Sequence, residues 1–250
     1  MNPAIAANPL THPKDKIIVA LDVESADEAR SIFAELSGSV GAFKVGLQLF
    51  TAEGPRFVRD LVERGAKIFL DLKFHDIPNT VAKASVEAAR LGVWMFNVHA
   101  SGGSEMMTRT AAEVANVCER ESIARPKVIA VTVLTSSNRE TLAETGVSDE
   151  TESQVLRLAQ LTAKCGLDGV VASPLEIRAI RASVASNRFL IVTPGIRPSN
   201  ATNDDQKRVM TPAEAVAEGA NYLVIGRPIT SASDRQRAVE DIITELSKPI

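Results

Sequence analysis

A repeating pattern of short apolar runs and longer amphipathic segments begins at Ile17 and continues almost to the end of the chain. The runs are rich in β-branched and aromatic residues, which is typical of parallel strands buried on both faces. The segments after them carry apolar residues three and four positions apart, as on one face of a helix. The runs predict eight strands, at about 17–22, 43–46, 67–73, 94–100, 128–135, 169–173, 189–196 and 222–228.

Strand and helix alternate along the whole chain, and this order predicts the fold. The first helix is expected over 25–36, with Ser25 as its N-cap and Glu28 at capping-box spacing. About eight such units in one chain favour a (β/α)8 barrel, with an open doubly wound sheet as the alternative. We predict one barrel domain over 17–250, preceded by a flexible proline-containing tail over 1–16, and an irregular stretch between the fifth strand and a helix near 153–165.

The composition of the chain argues against several classes of protein. The chain has 250 residues, a net charge of -3 and a sequence pI near 5.7, so it lacks the basic footprint of a protein that binds nucleic acid or an anionic membrane. No apolar run approaches the roughly 20 residues that span a bilayer. Cys118 and Cys165 lie far apart and predict two buried or partly buried thiols. We therefore expect a cytoplasmic protein.

The most distinctive stretch is 68–80, which reads IFLDLKFHDIPNT. Its apolar start is followed within six positions by Asp71, Lys73 and Asp76, and Pro78 then ends the regular structure. Side chains alternate along a strand, so Asp71 and Lys73 are expected to share a face. A structural ion pair is one explanation, but two carboxylates and an ammonium group this close together shift one another's pKa values and favour a catalytic site.

Other charged residues fall at neighbouring strand ends, where barrels of this kind carry their active sites. Asp22 ends the first strand and Lys44 lies in the second. Together with Asp71 and Lys73, they predict an alternating array of aspartate and lysine in which each charge keeps its neighbours ionised. A lysine whose ammonium group merely reaches the barrel rim is the alternative for Lys44.

The last two strand ends have the composition of a phosphate site. Gly195 and Arg197 follow the seventh strand, and Gly226 and Arg227 follow the eighth. Glycine lets the backbone approach an anion, and arginine offers a planar pair of donors. The polar connection 198–210 is long enough to be a lid, and Gln206 within it is a candidate phosphate contact on closure.

The spacing of the three histidines does not predict a metal site, and no glycine-rich dinucleotide motif follows a strand. His99 ends the fourth strand, where it is either a base or, as we favour, a structural residue at the barrel top. His75 lies beside the charged cluster, and His12 lies in the tail. Neither is given a role.

From residue 17 onward the chain resembles the bacterial orotidine 5'-phosphate decarboxylases. The similarity runs through IVALD, KVG, FLDLKFHDIPNT, GVWMFNVHASGG, AVTVLTS, CGLDGVV, VTPGIRP and VIGRPIT. The DxKxxD core alone is shared with keto-gulonate-phosphate decarboxylases and hexulose-phosphate synthases, whereas DLKFHDIPNT followed by VTPGIR and IGRPIT is far more specific. The match is weakest in the tail and over 139–152.

This resemblance implies conversion of orotidine 5'-monophosphate (OMP) to uridine 5'-monophosphate (UMP), the last step of de novo UMP synthesis, without a metal or organic cofactor. By the family's pattern, Lys73 protonates the carbanion at C6 of the pyrimidine, and Asp71 lies against the departing carboxylate. Lys44 and Asp22 hold the ribose and order the charges.

The same resemblance implies a homodimer in which Asp76, also catalytic, and Thr80 reach into the partner's site. Thr135 is similar to the residue that contacts the pyrimidine. The implied phosphate contacts are Arg197, Gln206, Gly226 and Arg227. Two alternatives remain open at this point: a metal-assisted sugar-phosphate decarboxylase or aldolase of the same barrel family, and a catalytically silent barrel that binds phosphosugars.

Overall fold

Eight parallel strands form a closed barrel in residues 12–198 and 210–248, the part of the chain that this computed structural model describes. The strands are β1 (Ile17–Ala20), β2 (Ala42–Gly46), β3 (Ile68–Phe74), β4 (Met95–His99), β5 (Lys127–Val131), β6 (Gly169–Val171), β7 (Leu190–Thr193) and β8 (Tyr222–Ile225). Each strand pairs with the next, and β8 closes the barrel on β1 through the pair Ile18–Val224. The predicted (β/α)8 barrel is confirmed, and the open sheet is wrong.

Helices alternate with these strands along the chain. They are α1 (Ala26–Leu36), α2 (Leu47–Glu63), α3 (Pro78–Arg90), α4 (Gly103–Glu121), α5 (Arg139–Glu144), α6 (Thr151–Lys164), α7 (Ile177–Ser183), α8 (Pro212–Ala217), α9 (Arg227–Thr230) and α10 (Arg235–Leu246). Ser25 caps α1 as predicted, because its hydroxyl accepts the backbone N–H of Glu28 at 3.2 Å. The reciprocal contact from the Glu28 side chain is not part of this cap.

The strands bury both of their faces, and the two faces belong to different apolar clusters. Ile18, Phe69, Met95 and their counterparts on the other strands fill the barrel interior. The alternate residues, such as Phe96, pack outward with the helices in the larger cluster. Because side chains alternate along a strand, this double burial explains the nearly continuous apolar runs in the sequence.

The chain near the amino terminus is more ordered than predicted. Pro13–Lys16, assigned to the tail from sequence, forms a 3-10 turn. Lys14 Nζ donates to the carbonyl of Gly38 at 2.9 Å. A Cβ atom at Gly41 would lie 2.4 Å from the carbonyl oxygen of Asp15, so only glycine permits this approach. Pro13–Lys16 therefore packs against the segment that joins α1 to β2, and residues 1–11 lie outside the described part.

Several other elements also differ from the sequence prediction, among them β5, which ends at Val131 rather than at 135. The stretch expected to be irregular contains α5, which Asn138 caps by accepting the Thr141 N–H at 3.0 Å. β7 ends at Thr193 because Pro194, next in the chain, has no N–H for the ladder. β8 ends at Ile225, and α9 starts two residues later.

Two further predictions concern the cysteines and membrane-spanning helices. Cys118 and Cys165 are both buried and do not form a disulfide, as predicted. Within residues 12–198 and 210–248, we find no helix with the combined length and apolar character that crossing a bilayer requires.

Candidate active site

The charged cluster lies on the last residues of β3, where the strand stops being regular. β3 and β4 pair at Phe69–Met95 and Leu70–Phe96, and pairing resumes only at Phe74–Val98. Lys73 lies in the intervening bulge with a φ angle of 52°. This left-handed conformation costs a non-glycine residue roughly 1–2 kcal/mol. Simple alternation predicted that Asp71 and Lys73 share a face, and both side chains do line the cavity although the strand bulges between them and Phe74.

Asp22, Lys44, Asp71 and Lys73 form a continuous chain of opposite charges. Lys44 Nζ lies 2.8 Å from Asp22 Oδ1 and 3.5 Å from Asp71 Oδ2. Lys73 Nζ lies 2.7 Å from Asp71 Oδ1. The Asp71 side chain is 14% exposed and that of Lys44 is 8% exposed, so neither charge is well hydrated. The structure thus brings together the four residues of the predicted alternating array.

The charge state of Asp71 follows from two opposing effects. Burial on its own raises the pKa of this carboxyl group. The positive charges of Lys44 and Lys73, with hydrogen bonds from Lys73 and Asn97, outweigh burial and leave the pKa below its ordinary value. Asp71 is therefore a carboxylate at neutral pH.

Asn97 belongs to this cluster, although it was not predicted from the sequence. The residue lies on β4, is 1% exposed and points into the barrel above Met95. Its Nδ2 donates to Asp71 Oδ1 at 2.7 Å, and its Oδ1 accepts the backbone N–H of Lys73 at 2.8 Å. The feature of the sequence that could have identified it is an amide side chain inside the otherwise apolar run WMFNV.

The charged array forms one wall of a cavity of about 310 Å³ at the carboxyl ends of the strands. Its floor is apolar and includes Phe69 and Val224. The predicted residues that line it away from β3 are Asp22, Lys44, Thr135, Gly195, Arg197, Gly226 and Arg227. Gly195 has a φ angle of 79°, which glycine adopts readily, and it turns the chain after β7. One side of the cavity therefore carries alternating carboxylate and ammonium groups, and the other side carries two arginines.

The connection between β7 and α8 is described only at its two ends. Arg197 donates its backbone N–H to the carbonyl of Met210 at 3.0 Å, so the chain returns beside the point where it leaves. Ile196 and Met210 also form a parallel bridge. Gln206, the candidate phosphate contact in this connection, lies outside the described residues.

Asp76 and Thr80 are not brought to the cavity of their own chain. Neither is among the residues that line it within the described part. Both are exposed, and Asp76 Oδ1 accepts the backbone N–H of Ile77 at 2.6 Å. Ile77 itself is 66% exposed. The DxKxxD motif therefore separates in space into a pair that faces the cavity and a carboxylate that faces outward.

Two histidine rings lie close together near Lys73. The rings of His75 and His99 lie 5.4 Å apart at an interplanar angle of 35°. Burial lowers the pKa of His99, and the nearby His75 and Lys73 lower it further, against a smaller opposing effect of Asp71. His99 is therefore neutral at pH 7. In residues 12–198 and 210–248, no group of three or more His, Cys, Asp or Glu side chains is arranged to hold a metal ion.

Comparison with known proteins places this barrel in one family. The sequence model of the orotidine 5'-phosphate decarboxylase / HUMPS family matches residues 15–242. The orotidine 5'-phosphate decarboxylase of Moorella thermoacetica is 55% identical over 236 residues, which cover 94% of this chain and 93% of that protein. That of Geobacter sulfurreducens is 55% identical over 233 residues, which cover 93% and 96% of the two chains.

A solved structure agrees with the sequence relatives. The crystal structure of orotidine 5'-phosphate decarboxylase from Lactobacillus acidophilus superposes with a TM-score of 0.82 at 38% identity, covering 93% of this chain and 99% of that one. Fold and sequence thus agree over nearly the whole chain. This chain therefore belongs to the orotidine 5'-phosphate decarboxylase / HUMPS family.

Proposed function

We propose that this protein is a carboxy-lyase that converts OMP to UMP and carbon dioxide in pyrimidine biosynthesis. One observation carries the assignment: the Asp22–Lys44–Asp71–Lys73 chain faces a cavity whose other side presents Arg197 and Arg227. The proposal includes a single (β/α)8 domain over 17–250 that works as a cytoplasmic homodimer without a cofactor.

The two walls of the cavity suit the two ends of OMP. The phosphate binds to the arginines after β7 and β8, because guanidinium groups form paired charged hydrogen bonds with phosphate oxygens. Gly226 lets the backbone approach, and Gln206 contributes a further contact on closure. Thr135 contacts the pyrimidine, and the ribose lies against Lys44 and Asp22. This orientation directs C6 of the pyrimidine and its carboxylate toward Asp71 and Lys73.

Lys73 is the group that makes loss of carbon dioxide possible. When the bond from C6 to the carboxylate breaks, its electron pair stays on C6 as a carbanion. An ammonium group fixed beside C6 stabilises the charge as it develops. Lys73 then donates a proton to C6, which completes UMP, and the resulting amine regains a proton from solvent. Asp71 orients Lys73 through their 2.7 Å contact and lies against the departing carboxylate.

The position of Lys44 favours this reaction over the metal-assisted alternative. In the metal-assisted alternative, the carboxylates of Asp22 and Asp71 would be the groups available to hold the cation, whose charge would stabilise an enediolate. The Lys44 ammonium group lies between these two carboxylates, 2.8 Å from one and 3.5 Å from the other. The two anions are therefore already neutralised by a cation that belongs to the chain. The silent phosphosugar binder is disfavoured because Lys73 and Asp71 are held together in a reactive arrangement.

The direct test is to mix the purified, EDTA-treated protein with OMP and follow ultraviolet absorbance together with carbon dioxide release. Rapid conversion is expected. Absence of conversion, with activity restored by a divalent metal or seen instead with a sugar phosphate, would replace this proposal with the metal-assisted alternative.

The outward position of Asp76 supports its proposed role across a dimer. Asp76, Ile77 and Thr80 form an exposed stretch just beyond β3, close in sequence to Lys73 but outside its cavity. In a two-fold dimer, such a stretch can meet the partner's cavity while the partner's stretch meets this one. Asp76 would then complete the charged array of the partner subunit, and Thr80 would contact the substrate there.

Mixing two inactive variants tests this arrangement. Lys73→Ala and Asp76→Ala, once their subunits have exchanged, should recover about a quarter of wild-type activity, because half of the dimers are mixed and each has one intact site. Lys73→Ala mixed with the double variant, which carries both Lys73→Ala and Asp76→Ala, should recover no activity, because neither subunit then supplies Lys73. If activity does not return after subunit exchange has been confirmed, Asp76 acts within its own chain.

Substitution of Arg227 tests the phosphate end. Arg227→Ala should lower kcat/KM for OMP by about 10- to 100-fold, since each charged hydrogen bond that is lost costs about 1.5–3 kcal/mol. Turnover of orotidine, which has no phosphate, should change little. Arg188→Ala, at an exposed position before β7, is the matched control. Equal losses for OMP and orotidine would place Arg227 away from the phosphate.

A further inference from the structure

Asn97 is the one β4 residue opposite the bulge that carries the catalytic pair. Between two matched pairs of residues, β3 has Asp71, Leu72 and Lys73, whereas β4 has only Asn97. The two extra residues interrupt the regular ladder between these strands. The Lys73 N–H consequently donates to the Asn97 side chain rather than to a β4 carbonyl. A side-chain amide thus takes over a backbone role at this position.

The chemistry of the two contacts determines which way the amide faces. A carboxylate only accepts hydrogen bonds, so the atom 2.7 Å from Asp71 Oδ1 must be the Nδ2 donor. A backbone N–H only donates, so the atom 2.8 Å from Lys73 N must be the Oδ1 acceptor. Asparagine supplies both functions from one rigid group. Neither aspartate nor leucine, which have similar size, can do so.

We propose that Asn97 is a positioning residue of the decarboxylation site, whose amide holds the Asp71 carboxylate and the Lys73 backbone in fixed relation. Asp71 Oδ1 accepts from Asn97 and from Lys73 Nζ, so the same oxygen is oriented from two sides. The Lys73 side chain starts from a left-handed backbone that the amide stabilises. The inference rests on the proposed function, because it assigns Asn97 a role in that reaction.

The burial of Asn97 makes its two hydrogen bonds difficult to replace. Asn97 is 1% exposed, so water does not replace either hydrogen bond when the amide is removed. Asp71 is itself faced by Lys44 from β2 and Lys73 from β3, with Asp22 beyond Lys44 and His99 on the rim of β4. Loss of the amide would let Asp71 and Lys73 adopt other arrangements within this set. Displacements of about 1 Å from the productive geometry can reduce rates by about 10²-fold.

Two variants separate positioning from general packing. Asn97→Leu removes both hydrogen bonds, and Asn97→Asp keeps the acceptor for the Lys73 N–H but replaces the donor with an oxygen that repels Asp71. Thr162→Val is the control, because Thr162 is also fully buried but bonds to Leu158 and Met107, between α4 and α6. The three variants, with wild type, are compared by thermal unfolding, UMP affinity, kcat and KM for OMP, and the pH profile of kcat/KM.

We expect both Asn97 variants to lose about 10²-fold in kcat with little change in KM or in UMP affinity. The acid limb of kcat/KM should move to higher pH, since a donor that stabilises the Asp71 carboxylate is gone. Thr162→Val should change neither kcat nor the acid limb of kcat/KM, even if its unfolding temperature falls as far as those of the Asn97 variants. A purely structural role predicts that all three variants behave alike per folded molecule, which would overturn the proposal.

A titration that does not depend on turnover separates this proposal from the proposed function. Carboxyl-carbon NMR of aspartate-labelled protein, with Asp71 assigned through Asp71→Asn, should show a higher Asp71 pKa in Asn97→Asp than in wild type. An unchanged Asp71 titration together with unchanged kcat in Asn97→Asp would refute the positioning role, including where Asn97→Leu does not fold. Wild type that fails to convert OMP would refute the function, and the titration would still decide whether Asn97 controls Asp71.

Discussion

Replacing Lys73 with alanine should lower kcat for OMP by at least about 10⁴-fold. Loss of a general acid typically costs about 10²–10⁴-fold, and loss of an electrostatic donor aimed at developing charge costs about 10²–10³-fold. In the proposed mechanism Lys73 serves in both ways, and its ammonium group is held 2.7 Å from Asp71 at the strand end that faces the cavity. UMP should still bind, since the arginines at the other wall are untouched. Steady-state kinetics and calorimetric titration with UMP measure the two effects.

Lys67→Ala is the matched control for this experiment. Lys67 directly precedes β3, so it lies at the opposite end of the same strand, with an exposed side chain. Its removal should leave both kcat and UMP affinity unchanged. Substantial turnover by Lys73→Ala would remove Lys73 from the reaction and with it the proposed mechanism.

The second large effect is expected for Asp71→Asn, with a loss in kcat/KM of about 10³-fold. The substitution preserves the shape of the side chain but removes the anion between two ammonium groups. Lys44 keeps Asp22 as a partner, but no carboxylate then stands between Lys44 and Lys73, and Lys73 loses the partner that orients it. Loss of a single preorganised electrostatic contact costs about 10²–10³-fold, and the disturbed Lys73 adds to it. Asp27→Asn, on the exposed face of α1, should have no effect.

The same variant tests the charge state of Asp71. Because the pKa of Asp71 is lowered in the folded protein, ionised Asp71 stabilises the fold above the ordinary aspartate pKa of about 3.9. That contribution is lost as the pH falls below this value toward the lowered pKa. The difference in free energy of unfolding between wild type and Asp71→Asn should therefore shrink on acidification below about pH 4. Urea unfolding over a pH series measures it, and a difference independent of pH would mean that Asp71 is not held ionised by its neighbours.

Much of this architecture could be predicted from the sequence because its causes are local. Strands buried on both faces require continuous apolar runs, and Ser25 caps α1 through a contact only three residues away. Asp22, Lys44, Arg197 and Arg227 could be selected because strand ends of a barrel converge at one face whatever the details of packing. Their charges alone indicated that one side of the cavity suits a reacting centre and the other a phosphate.

Other features could not be predicted because they depend on contacts between strands. The bulge at Lys73 arises from the pairing of β3 with β4, and simple alternation does not contain it. Asn97 looked like an isolated amide in an apolar strand until that pairing placed it between Asp71 and the Lys73 backbone. Pro13–Lys16 looked like part of the tail because nothing local shows the close approach of Asp15 to Gly41.

The amino-acid sequence by itself therefore determined the barrel, its strand order and the set of charged residues and glycines at one end, since periodicity and strand-end position are properties of the chain. The tertiary structure decided how those residues meet. It placed Lys44 between two carboxylates, and it joined Asp71 and Lys73 through the Asn97 amide. It also turned Asp76 away from the cavity of its own chain. Distances of 2.7–3.5 Å between residues on different strands depend on register and backbone twist, which no local pattern specifies.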